Sequence, residues 1–306
     1  MSQSRNALIT ASVLGGYGLI RLPLQEAAAA ISVSQPEQRW DRRVVARGQP
    51  LSATLDYLDT VTWPATRYVL FPLNDRWTVI VNNQRGGTEV ADLLGHMKRR
   101  EPATAVRVVD HEASFVVCNG FRVRQQYAAR MVAIQADGET VRSITCANDG
   151  GRWTFETFGA PLHVEAEFDY TARRKRDRFT EGNLDTLLAS IGARRVTARD
   201  LEQTEDFMLL AVTPRDEKWR GRIESDALTT AEAADPAQSY LRRGLGWVGH
   251  METHAASLVN DYGRAILLNP ELESQCRSAL DRARAQLGDE AYQQVMERAE
   301  AGLGRA

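Results

Sequence analysis

The sequence predicts an α+β fold: a mostly antiparallel sheet with flanking helices, followed by an all-helical C-terminal unit. Three observations carry this. From Tyr17 to about Thr213 the apolar residues mostly alternate, the period of a strand with one buried face. The segments joining these strands are too short for parallel crossovers. From about Asp226 onward the apolar spacing changes to three and four, the period of a helix. The organisation expected is an α+β domain over 1–213, a polar linker over 214–225 and a helical unit over 226–306.

The first strand is expected at Tyr17–Leu24, after a flexible start. Ala7–Ile20 has the order of a secretory leader, but Thr10, Ser12 and three glycines interrupt it and Arg21 follows without a cleavage context. An alanine-rich helix follows at Gln25–Ser32, a strand at Arg42–Arg47, and a helix at Ser52–Asp59 with Ser52 as its cap. Arg67–Leu73 and Trp77–Val81 flank the turn Asn74-Asp75-Arg76 and read as a hairpin. Thr88 can cap a helix over Glu89–Arg100. Strands rich in valine, isoleucine and aromatics then run Ala105–Asp110, Ser114–Val117, Phe121–Gln135 and Thr140–Ala147, with a turn at Asp137-Gly138. Asn148–Gly151 is a further turn, leading into Trp153–Phe158. Helices are expected over Glu165–Arg178 and Glu181–Ile191, the second capped by Thr180, and an edge strand over Phe207–Val212. Ala231–Tyr262 and Glu271–Leu303 read as long helices separated by Asn269-Pro270, the first weakened by Gly246 and Gly263 and so expected as two helices.

With 306 residues, 43% hydrophobic and 25% charged, the chain has ample material for a core, which excludes a disordered protein. The net charge of −2 divides into +3 over 1–160 and −5 over 161–306, so neither half has the basic surface of a dedicated nucleic-acid binder. Three cysteines, Cys118, Cys146 and Cys276, are too few and too scattered for a disulfide framework or a zinc cage. No apolar run approaches a membrane span, and the cytoplasm is the expected compartment. Three lysines among 38 basic residues, with abundant alanine, suggest a GC-rich bacterial origin.

Chemistry-bearing motifs are sparse. Arg173-Arg174-Lys175-Arg176-Asp177-Arg178 is the densest basic run and can grip an acidic partner or phosphates, with Arg173, Arg174 and Arg176 as its partner-binding residues. On a helix its charges would spread around the circumference, which is the pattern of a solvated face. His250 and His254 stand four apart, so on a helix both imidazoles share a face. With Asp261 as a third ligand they form the candidate metal site, for zinc or another divalent ion. Asp110-His111-Glu112 alternates faces in a strand and reads as a solvated turn. The glycine-bearing loops 82–87 and 148–151 lack the spacing of a phosphate cradle.

Counting back from Pro270, small or apolar residues fall at Leu245, Gly246, Tyr262, Ala265 and Leu268, and the segment closes with DYGRAILLNP. Over residues 239–270 this pattern resembles a tetratricopeptide-like helical hairpin, departing from it at Gly249 and Leu258. The resemblance implies two antiparallel helices in close approach and a scaffold for protein contacts, with Trp247 and Tyr262 as anchors. The tryptophans Trp77, Trp153, Trp219 and Trp247 are of the kind that anchor interfaces when exposed. The reading reached is a non-catalytic protein-binding module of a bacterial immunity, antitoxin or adaptor type, needing no cofactor and meeting another protein rather than a membrane. The alternatives are a metal-dependent enzyme using His250 and His254, and nucleic-acid binding through Arg173–Arg178.

Overall fold

The computed structural model describes residues 5–34, 38–44, 50–62, 65–84, 90, 93, 94, 97, 104–126, 128–137, 139–148, 152–217, 220, 221, 223 and 227–305. The chain forms two compact units, residues 1–112 with 127–230, and residues 113–126 with 231–306. The expected helix over Glu89–Arg100 falls largely outside the described residues, although Val90, Leu93, Leu94 and Met97 are buried. Gly86, Gly87, Gly138, Asp149, Gly150, Gly151 and Trp219 also lie outside them, as does part of the expected linker.

The first unit is an α+β domain built on an antiparallel sheet. Its strands are β1 (Gly16–Ile20), β2 (Gln38–Val44), β3 (Arg67–Pro72), β4 (Thr78–Asn82), β5 (Ala105–His111), β8 (Ala128–Ala136), β9 (Glu139–Asn148), β10 (Trp153–Phe158) and β11 (Met208–Pro214). β6 (Ser114–Cys118) and β7 (Phe121–Gln126) belong to the other unit. Among the described residues the order is β10-β9-β8-β5-β1-β4-β3-β11-β2, with every neighbour antiparallel. The meander β8-β9-β10 and the β3–β4 hairpin follow the short connections in the sequence.

Both faces of the central strands are covered, which is why β1 and β4 are buried along their whole length. On one face Tyr17, Leu19, Val69, Phe71, Val79, Val81, Val106 and Val108 meet α1 (Arg5–Gly15), two 3-10 turns at Leu51–Ala53 and Leu55–Leu58, α3 (Glu181–Ser190) and α4 (Ala198–Gln203). On the other, Ile20, Leu70, Ile80 and Leu210 meet α2 (Leu24–Ser34) and the buried residues Val90, Leu93, Leu94 and Met97. The second layer stops short of β8–β10. There the strands alternate between buried and partly exposed residues, as a sheet covered on one face must.

Several expectations are corrected. The flexible start is helix α1, because Ile9 and Val13 stand one turn apart and bury together against the sheet. The strand after it is Gly16–Ile20, and Leu24 already opens α2. Ser52 caps nothing: Pro50 precedes a 3-10 turn, with no side-chain cap bond. β11 is interior, between β3 and β2, rather than an edge. Over 165–178 no α-helix forms; two 3-10 turns, His163–Glu167 and Lys175–Asp177, interrupt an extended loop. Thr180 caps α3 as expected, its side chain accepting from the backbone N–H of Asn183 at 3.2 Å.

In the second unit β6 (Ser114–Cys118) and β7 (Phe121–Gln126) form a hairpin through Asn119-Gly120, both at positive φ. The expected single strand Phe121–Gln135 is therefore two, β7 and β8, in different sheets and different units. Phe121 and Val123 of the hairpin join a core made by α6 (Pro236–Val248), α7 (Met251–Leu268), α8 (Glu273–Leu287) and α9 (Asp289–Ala301). α5 (Thr230–Ala234) precedes these helices, and the short strand β12 (Gly304–Arg305) pairs with β7. The first long segment divides into two helices as expected, but at Gly249-His250 rather than at Gly246 or Gly263, and the second divides at Gly288. No described helix is long and apolar enough to cross a membrane.

Candidate binding site at the edge of the sheet

Strand β10 ends the sheet order, and its residues alternate: Trp153 and Phe155 face the core side while Thr154, Glu156 and Phe158 face the other. Phe155 lies opposite Cys146, which belongs to the core of that face. The chain after β10 folds back across this same face. Gly159 makes the return possible. Its φ is +80°, and a Cβ there would stand 2.0 Å from the Val141 carbonyl oxygen, so only glycine fits.

The returning loop is anchored by a buried ion pair. Arg142, on β9, donates through Nε to Glu165 Oε1 at 2.9 Å and through Nη2 to Glu165 Oε2. Arg142 Nη1 donates to the carbonyls of Phe158 and Gly159 at 3.0 and 2.8 Å, fixing the start of the turn. Glu165 also accepts from the Leu162 backbone N–H at 2.8 Å and from the Tyr170 hydroxyl at 2.7 Å. Burial pushes the Glu165 carboxyl up, but the hydrogen bonds from Arg142, Leu162 and Tyr170 outweigh it and hold the group below its ordinary value. Burial and the bond to Glu165 raise the Tyr170 hydroxyl well above its ordinary value. The Tyr170 ring packs on Phe155 at 5.2 Å and on Phe168 at 5.9 Å.

Further along, the Cys146 thiol donates to the Lys175 carbonyl at 3.2 Å, Arg178 donates to the Ala172 carbonyl at 2.9 Å and lies 5.7 Å over the Phe155 ring, and Phe179 is fully buried. These ties hold the turn Lys175–Asp177 against the face of β9 and β10. Arg174, Lys175 and Arg176 then surround half-buried Trp153 in an open depression of about 430 Å³. Arg176 stands 3.6 Å from Asp177, both half exposed, while among the described residues no carboxylate pairs with Arg174 or Lys175. Lys175–Asp177 is a single 3-10 turn entered from an extended Arg174, not the α-helix expected for this run. Arg173 is exposed beside them and does not line the depression. Three consecutive cationic residues beside this depression attract an anionic group by charge.

The other residues singled out from sequence fall elsewhere. His250 precedes α7 and is exposed, and His254 sits at a break in helical dihedrals inside it (φ −128°, ψ 22°), so the shared face expected of a regular helix is lost. The His254 ring lies 4.8 Å from that of Trp247. Asp261 is buried and accepts from Trp247 Nε1 at 3.0 Å, with Arg243 at 3.8 Å. Among the described residues no three His, Cys, Asp or Glu side chains are grouped to hold a metal. Tyr262 is 2% exposed and packs on Gly244, where an added Cβ would meet its ring at 2.1 Å. It is a core residue where α6 and α7 approach, not a surface anchor. Leu245 and Gly246 are exposed. Trp77 is buried. Asp110, on β5, is held by Arg130 at 2.8 Å and Arg195 at 3.1 Å, which makes it part of a structural ion network.

The sequence reading singled out the basic run but left Lys175 and Trp153 off its site. The alternation of Trp153–Phe158 was legible, but that this strand lies at an edge was not. Comparison with known proteins finds no match for this chain among family models, curated proteins or solved structures.

Proposed function

We propose that the protein is a non-catalytic binding module that recognises an acidic segment of another protein at Trp153, Arg174, Lys175 and Arg176. The observation that carries this reading is the run of three consecutive cationic residues beside Trp153, on a turn held to the sheet by buried ties. Arginine forks suit carboxylates on a peptide. The Asp177 carboxylate beside Arg176 and the net charge of −2 disfavour a long polyanion such as nucleic acid.

The test is calorimetric titration with an oligoglutamate peptide and, separately, with a single-stranded oligodeoxynucleotide of equal charge. The peptide is expected to bind, and the Arg174→Glu/Arg176→Glu variant to weaken it about tenfold or more, as loss of two charge-assisted contacts requires. Tighter binding of the oligonucleotide would turn the reading to nucleic acid. Binding of neither would overturn it.

A further inference from the structure

Beside the depression runs an unpaired strand edge. β10 pairs with β9 along its inner side, from Trp153 opposite Asn148 to Phe158 opposite Ser143, and among the described residues no strand pairs with its outer side. Such an edge presents backbone N–H and C=O groups at the spacing of one more strand. Proteins usually blunt exposed edges with proline, lysine or a bulge. β10 reads WTFETF, with neither proline nor lysine, and its register against β9 has no shift. Its main blunting device is the single charge of Glu156.

We propose that the acidic segment docks as an added strand, hydrogen-bonded along the outer edge of β10. This rests on the reading of the depression as the partner site. The two faces of the edge define the occupant. On the face of Trp153 and Phe155, an added strand meets Arg174, Lys175 and Arg176 beside Trp153. On the opposite face it runs past Glu156 and Phe158, with Val141 close by across the sheet; Phe158 and Val141 are 60% and 43% exposed. Side chains of an added strand alternate between these faces. The segment therefore carries acidic residues at every second position, facing the cations, with apolar β-formers between them facing Phe158 and Val141. A nucleic-acid strand has no amides at this spacing to complete the edge.

The experiment uses a blocked hexapeptide of alternating Glu and Val, titrated calorimetrically into the full chain. Two further versions carry backbone N-methyl groups on the alternate sets of residues, all glutamates or all valines. Neither set changes side-chain charge, and only one set of amides can face β10. The unmethylated peptide is expected to bind, one methylated version to bind about tenfold or more weakly, and the other nearly as the parent. The parent peptide is also expected to lose binding to the Arg174→Glu/Arg176→Glu variant, whose exposed positions leave the fold intact by circular dichroism. If both methylated versions bind as the parent while the charge variant does not, the depression binds acidic peptide but strand addition is overturned. If the parent fails to bind at about millimolar concentration, or binds the charge variant equally, both readings fall.

Discussion

Replacing Glu165 by Gln tests whether the loop that shapes the binding site is held by its buried ion pair. The Arg142 and Glu165 side chains are 4% and 1% exposed. Glu165 accepts from both Nε and Nη2 of Arg142, from Tyr170 and from the Leu162 N–H. Glutamine keeps the shape but offers one oxygen, turns an N–H₂ toward donors, and leaves the guanidinium without its counter-charge. Removing one partner of a buried pair costs ~3–5 kcal/mol. In a domain of this size ~1 kcal/mol moves the melting temperature by about 2–4 °C, so the fall should be about 6–20 °C. Release of the loop, which would hydrate Arg142, caps the cost at the loop's own docking energy; it would show as trypsin cleavage within Arg173–Arg178. Calorimetry and limited trypsinolysis on wild type and variant follow the two outcomes. The double variant Arg142→Met/Glu165→Leu should recover part of the stability, because two apolar residues leave no charge buried. An Glu165→Gln protein with unchanged melting temperature and unchanged trypsin resistance would refute the role given to the pair.

Two further outcomes are expected. Glu165 titrates below its ordinary value in the folded chain, so its contribution is present above that value, about 4.3, and is lost as pH falls through the folded value. The wild-type melting temperature should therefore fall on acidification below about pH 4, and the Glu165→Gln variant should lack that part of the dependence. In the helical unit, Gly244→Ala forces a methyl into the Tyr262 ring at 2.1 Å and should cost about 1–3 kcal/mol in urea denaturation. Gly246→Ala, with nothing within 4 Å of its Cβ, should be neutral or mildly stabilising through helix propensity. Equal effects at the two glycines would show that the close approach of α6 and α7 is misplaced.

Wherever neighbours in sequence set the structure, the sequence was readable. The β3–β4 hairpin, the Thr180 cap, the meander of β8, β9 and β10 and the helical periodicity after residue 226 all depend on spacings of a few residues. The same local logic failed where a distant partner decided. Residues 165–178 have helix-forming composition, yet the Arg142–Glu165 pair, the Cys146 bond to the Lys175 carbonyl and the burial of Phe179 tie them to the sheet in an extended course. Of the residues chosen from sequence, Arg174 and Arg176 line the depression, whereas Tyr262 and Asp261 are drawn into the helical core.

By itself, the sequence determined the fold class, the antiparallel character of the sheet and the position of the densest positive charge. Alternation, turn residues and charge runs are local quantities, and short connections leave antiparallel pairing as the economical solution. Only the tertiary structure decided that β10 is an edge while β11 is not. It also placed the β6–β7 hairpin with the helical unit, and set Trp153 among three cations. Strand order and the covering of a face arise from packing between residues far apart in the chain, and no local pattern encodes which neighbour a strand will find.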